Sequence, residues 1–212
     1  FDTGVDPGAP GLQVTSDGRP KVVDVVDGSG SGDVDTSAVH EAKDSTLTGL
    51  TGRTLNPGGD WKNPSGKWRL GIKAAYELFP GDLVSRLKSE RKKEWDKRQR
   101  DRAAALQAKL AEFDEKHPSP KGDTKKERAE LQAQIDLLAS LNGSYSDPGP
   151  IYDCIVFNDG KAWRAAVDTD EDGDFGDEKL MTNFRAERQW STFGKQTMMN
   201  FALNIYDNGD TL

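Results

Sequence analysis

Apolar positions fall into three regimes along the chain. Over the first 80 residues they form short β-branched clusters separated by Gly, Pro and Asp. Residues 11–15 and 21–26 are two such clusters. The segment Ser16-Asp17-Gly18-Arg19-Pro20 between them carries the Asp-Gly pair of a tight reversal, so the spacing predicts a β-hairpin. Gly28-Ser-Gly-Ser-Gly32 predicts a flexible loop. A turn flanked by Trp61 and Trp68 follows, and Ile72, Ala75, Tyr76 and Phe79 predict a short helix ending at Pro80. From 82 to 141 the period changes. Leu83, Leu87, Trp95, Leu106, Leu110 and Phe113 fall near one helical stripe, with charges on the other sides. His117-Pro-Ser-Pro-Lys-Gly122 breaks that stripe. Thr124 and Glu127 then stand at capping-box spacing, and Leu131, Ile135, Leu138 and Leu141 form a second stripe. Two helices joined by a short loop predict an antiparallel helical hairpin. Beyond 144 the pattern returns to β. Residues 151–157 form an apolar run, Asn158-Asp159-Gly160 a turn, and 162–167 the returning strand. An acidic loop covers 168–177, and 198–206 predicts another strand closed by Asp207-Asn208-Gly209.

The expected fold class is therefore α+β, with antiparallel β-rich lobes over 1–80 and 144–212 and a helical hairpin over 81–143 inserted between them. The 212 residues carry a net charge of −7. That acidic balance argues against a nucleic-acid partner, and the apolar pattern gives no reason to expect a membrane one. No run approaches the ~18 apolar residues of a membrane-spanning helix. A single cysteine, Cys154, excludes an intrachain disulfide and fits a reducing compartment. The chain opens with Phe1-Asp2-Thr3-Gly4, with neither an initiator Met nor a signal peptide, and is expected to be processed or excised from something longer.

Two motifs could carry chemistry. Asp2-Thr3-Gly4 fits two protease designs. In aspartic proteases two such triplets share a proton between their carboxylates, which here would require a homodimer. In subtilisin-like proteases Asp-Thr-Gly-Val-Asp carries the aspartate that orients a catalytic histidine, and Asp2-Thr3-Gly4-Val5-Asp6 has that form. The second motif is the acidic loop, where Asp168, Asp170, Asp172 and Asp174 alternate and Gly173 takes the sixth position of a calcium loop. Its twelfth position is Lys179 instead of a bidentate Glu, with Glu178 one short, so a solvated acidic turn is the expectation and no metal or other cofactor is. Residues 86–102 hold nine Lys/Arg against four Asp/Glu. Because the signs are interleaved, that stretch reads as the solvated face of a helix. Asn142-Gly-Ser144 is a glycosylation sequon by letter only, Cys154 reads as core, and His40 and His117 lack metal-spaced partners.

The Asp2 motif sits within longer blocks. Residues 1–27, 30–35, 61–68, 145–154, 159–164 and 204–207 together resemble the tripeptidyl-peptidase II family of subtilisin-like serine peptidases. The resemblance runs nearly end to end and is weakest in the helical hairpin. It implies a large cytosolic exopeptidase that removes tripeptides from the free N-termini of oligopeptides and assembles into homo-oligomers. In that family a long insertion separates the triad Asp from the triad His, and Asp2 is the catalytic position the resemblance carries over. The family's His-Gly-Thr-His and Gly-Thr-Ser segments are absent from this sequence. The remainder of the same polypeptide would supply them, and this piece alone is expected to be inactive. The second function class is a non-catalytic interaction or assembly module, a β scaffold displaying a helical hairpin.

Overall fold

The structure is a computed structural model and describes residues 5–212, the side chains of Lys195 and Gln196 excepted. The strands are β1 (Ala38–Glu41), β2 (Leu47–Thr48), β3 (Thr54–Leu55), β4 (Lys67–Ala74), β5 (Ile151–Asn158), β6 (Trp163–Val167), β7 (Ser191–Thr192) and β8 (Asn200–Phe201). The helices are α1 (Ala75–Leu78), α2 (Gly81–Lys116), α3 (Asp123–Gly143), α4 (Phe184–Glu187) and α5 (Gly194–Thr197). Contacts divide the chain into two units, one from residues up to 79 together with 150–212, the other from 80–149.

The first unit is built on an antiparallel sheet of order β1-β4-β5-β6. In β4, Trp68 and Leu70 point inward between the outward Lys67 and Arg69, the alternation of a half-buried strand. In β5, every residue from Tyr152 to Phe157 is buried. This central strand is covered on both faces, which is why its sequence reads as an unbroken apolar run. Alternate residues still serve opposite faces. Ile155 and Phe157 join Leu47, Leu55, Trp68, Leu70 and Phe175 in one cluster, while Val156 packs with Ala165, Met181, Leu203 and Ile205 in another.

The β5–β6 turn forms as its sequence predicts. Gly160 adopts φ +90°, and Asp159 Oδ1 accepts the Lys161 and Ala162 N–H groups at 2.7 Å each. Arg164 Nε donates to Asp159 Oδ2 at 2.8 Å; this bond, with the Ala162 N–H, holds the Asp159 carboxyl down at about 2.

Three expected elements differ. The hairpin over 11–26 is reduced to one bridge, Val14 with Pro20, although its Asp17-Gly18 turn is present with Gly18 at φ +80°. Pro20 has no N–H to extend a ladder, and Val23 and Val26 are about two-thirds exposed, at 62% and 65%, so no second sheet among the described residues rewards further pairing. Ile72 lies in β4, which runs on to Ala74 and leaves α1 a single turn, because pairing with Asp153 holds it in the sheet. Within 198–206 only Asn200 and Phe201 pair as strand. Met198 enters at φ +55°, a left-handed conformation that starts no strand.

The second unit is the helical hairpin, α2 of 36 residues and α3 of 21. Leu87 is buried; the other five members of the first stripe and Leu131, Ile135 and Leu138 of the second are half-buried, while Leu141 is 45% exposed. Arg128 clamps Asp114 with two parallel hydrogen bonds of 2.8 and 2.9 Å across the two helices. Thr124 does not cap α3. Its hydroxyl bonds Lys121, and Gly122 at φ +58° stands before the helix. The basic stretch of α2 is laced with pairs along its own face, Lys92 with Asp96 at 2.9 Å and Arg86 with Glu90 at 3.5 Å. No helix among the described residues is long and apolar enough to cross a membrane.

Candidate functional site

The acidic loop leaves the sheet where β6 ends at Val167 and is fastened at its far side to the segment following β3. Asn56 N–H donates to Gly173 O at 2.7 Å and Phe175 N–H donates to Asn56 O at 2.9 Å. Gly173 sits at φ +80°, and a Cβ there would run into the Thr54 carbonyl, so this position requires glycine. Phe175 is fully buried and meets Trp61 edge-on at 6.2 Å. A loop held this firmly at both ends presents its carboxylates in fixed places.

Asp168 has no exposed surface, and Asp153 of β5 is 1% exposed. The loop's first aspartate is thus not part of a solvated turn. The Asp168 N–H donates to Asp153 O at 2.9 Å, which draws the two side chains into one buried polar site. Arg53 Nη1 donates to Asp153 Oδ2 at 2.6 Å and to Asp168 Oδ2 at 3.3 Å, and Arg53 Nη2 lies 3.6 Å from Glu171. Thr51 Oγ1 adds a 2.6 Å bond to Asp153 Oδ2, and Gly173 N–H a 3.1 Å bond to Asp168 Oδ2. The Oδ1 atoms of both aspartates are buried and find no hydrogen-bond partner among the described residues. Burial pushes the Asp168 carboxyl up, opposed by the Gly173 N–H and the Arg53 charge. Burial also pushes Glu178 up, although its Oε1 accepts from the Thr169 N–H at 2.6 Å and hydroxyl at 2.8 Å.

One carboxylate oxygen from each of Asp168, Asp170 and Asp172 lies within 4.8 Å of the other two. Asp174, the fourth member of the sequence motif, is outside this group and accepts the Gly176 N–H at 2.9 Å. Spacing located the three aspartates. It gave no sign of Arg53 or Asp153, one a lone arginine in a loop, the other inside an apolar run. Cys154, beside Asp153, is 1% exposed, and burial followed by the charges of Asp153 and Asp168 pushes its thiol up to about 12. It is a core residue with no thiolate to offer at neutral pH.

Asp2, the candidate triad carboxylate, lies outside the described residues. Four positions on, Asp6 Oδ1 accepts both the Gly8 N–H and the Asn200 amide, each at 2.8 Å. Gly8 is pressed so closely on Asn200 and Trp190 that a Cβ would collide with both. Asn204 Nδ2 donates to Val25 O at 2.6 Å, and Val34 and Leu212 exchange backbone bonds of 2.7 and 3.0 Å. The N-terminal segment thus makes little sheet of its own and is stitched to residues 200–212 by side-chain and backbone bonds together. An apolar cleft of about 290 Å³ lies along this seam, lined by Val25, Val34, Tyr152, Phe193 and Leu203. No motif or spacing in the sequence marks Asn200 or Asn204 as an anchor for the N-terminal segment.

No family model matches the chain. It aligns instead with single segments of much longer proteins. Tripeptidyl-peptidase 2 of Arabidopsis thaliana is 44% identical over 220 residues, covering all of this chain and 16% of that protein. The protein of the same name from Oryza sativa subsp. japonica is 44% identical over 219 residues, with 99% and 16% covered. That from Drosophila melanogaster is 30% identical over 223 residues, with 100% and 15% covered. Among solved structures, the crystal structure of tripeptidyl peptidase 2 superposes with a TM-score of 0.60 at 25% identity, over all of this chain and 16% of that one. The chain therefore spans about 16% of the length of the relatives from Arabidopsis and rice.

Proposed function

The chain is a homologue, from end to end, of one segment of tripeptidyl-peptidase 2, and from that premise we propose that the whole protein is a serine-type, subtilisin-like exopeptidase. It releases tripeptides from the free N-termini of oligopeptides, in the cytoplasm and as a homo-oligomer, with neither nucleic acid nor membrane as partner. The similarity along the entire chain carries this reading, and Asp2-Thr3-Gly4-Val5-Asp6 supplies its chemistry. Asp2 accepts a hydrogen bond from the imidazole of a histidine elsewhere in the polypeptide. That bond fixes the tautomer in which the other ring nitrogen takes the proton of a serine, and it stabilises the imidazolium that results. Base and nucleophile both come from outside these 212 residues, so the segment alone hydrolyses nothing. The helical hairpin serves access or subunit contact and carries no chemistry of its own. The test is hydrolysis of a fluorogenic substrate bearing a free N-terminal tripeptide, by the full-length protein and its Asp2→Asn variant.

A second prediction arises from the hold on Asp6. Displacing a catalytic group by about 1 Å costs up to ~100-fold in rate. Asn200 fixes the carboxylate four residues after Asp2. In the full-length protein Asn200→Ala is expected to lower kcat about tenfold with KM little changed, the mark of lost transition-state stabilisation. Exchanging the partners, Asp6→Asn with Asn200→Asp, rebuilds a side-chain hydrogen bond and should recover most of the rate. An unchanged kcat in Asn200→Ala, or no recovery in the exchanged pair, would remove Asn200 from this role.

A further inference from the structure

We propose that the loop beginning at Asp168 binds one calcium ion through Asp168, Asp170 and Asp172, a site independent of the peptidase reading above. Three observations carry it. First, the oxygens converge: one from each carboxylate lies within 4.8 Å of the others. Calcium–oxygen distances are about 2.3–2.6 Å, so two oxygens on one ion lie at most about 5.2 Å apart, and all three pairs here fall within that span. Three like charges this close repel one another unless a cation lies between them.

Second, the carboxyl at the head of the group is incompletely satisfied. Asp168 has no exposed surface, and its Oδ1 is buried without a hydrogen-bond partner among the described residues. Leaving an oxygen of a buried carboxylate unpaired is costly, and a metal ion is one of the few partners able to repay it. Third, the nearby cation does not balance the site. Arg53 is shared among Asp153 at 2.6 Å, Asp168 at 3.3 Å and Glu171 at 3.6 Å. One positive charge thus stands among three carboxylates, with Asp170 and Asp172 beyond them, and a divalent ion makes up the deficit.

The chemistry of the donors selects the ion. All three are hard carboxylate oxygens at alternate positions, followed by a glycine at the sixth, and nothing in the group suits a softer metal. The site is open on one side. Lys179 stands where a bidentate glutamate would close it, and Glu178 is engaged with Thr169. Fewer charged ligands mean weaker binding, so the dissociation constant belongs in the range of about 10⁻⁴–10⁻³ M.

The experiment is calcium titration by equilibrium dialysis on the chelator-treated full-length protein, alongside the double variant Asp170→Asn, Asp172→Asn. Both positions are exposed, so the fold tolerates the change. The double variant should bind one calcium fewer per chain than the unmodified protein. Equal stoichiometry, or no calcium taken up by the unmodified protein at about 10 mM, ten times the weakest expected constant, would overturn the assignment. If the double variant fails to fold, each single variant should show a dissociation constant for one site at least tenfold weaker. Unchanged constants in both would count equally against it.

Discussion

Replacing Asp2 with Asn in the full-length protein is expected to lower kcat about 10⁴-fold, the loss found where a triad aspartate becomes an amide. Asparagine is nearly isosteric with aspartate, so the peptide-binding surface is left as it was. It is neutral, however, and its amide can hold the imidazole in the tautomer that lacks a free basic nitrogen facing the serine. The imidazolium formed in the transition state then has no counter-charge. KM should move little, and kcat and kcat/KM should fall together, because Asp2 bonds the imidazole and not the peptide: substrate binding is untouched while the transition state loses its support. Initial rates on the tripeptide substrate measure both constants. A loss smaller than tenfold would take Asp2 out of the triad.

Removing Arg53 should produce the largest loss of stability available from one surface-reaching side chain. Asp153 and Asp168 are 1% and 0% exposed, and Arg53 is the cation paired with both. Breaking a buried pair by deleting one partner costs about 3–5 kcal/mol, since the surviving charge stays desolvated. Arg53 itself is a quarter exposed, so some water relaxes into its place and the lower end, about 3 kcal/mol, is expected for Arg53→Ala. The urea midpoint of the chain measures this. Adding Asp153→Asn to Arg53→Ala should restore part of the loss by removing the stranded charge. A loss under about 1 kcal/mol would mean the aspartates are neutralised some other way, by protons or by the proposed calcium.

The fold was legible in the sequence where the signal is local. A 3.6-residue stripe interrupted by His117-Pro-Ser-Pro marks both helices, and an apolar run followed by Asn158-Asp159-Gly160 marks β5 and β6. It was illegible where pairing is distant. Nothing near Lys67–Ala74 announces that it pairs with Ile151–Asn158, because the whole hairpin intervenes. Ile72 fits a helical stripe and a strand equally well, and only the partner strand decides. The Asp17-Gly18 reversal is likewise local and forms, whereas its flanking strands need a neighbour that the described residues do not supply. The same division runs through the candidate site. Alternate aspartates are visible as spacing, but whether the first is solvated depends on Arg53 and Asp153, which lie 115 and 15 positions away in sequence. A buried charge is a property of the assembled fold, and a lone arginine in a loop gives no advance notice of it.

The most direct test compares three preparations on one fluorogenic tripeptide substrate: the 212-residue chain alone, the full-length protein, and the full-length Asp2→Asn variant. The full-length protein should turn over, the variant should be nearly silent, and the chain alone should give no rate above buffer. Hydrolysis by the chain alone would mean that a complete active site lies within these residues, contradicting a triad that borrows its histidine and serine from elsewhere.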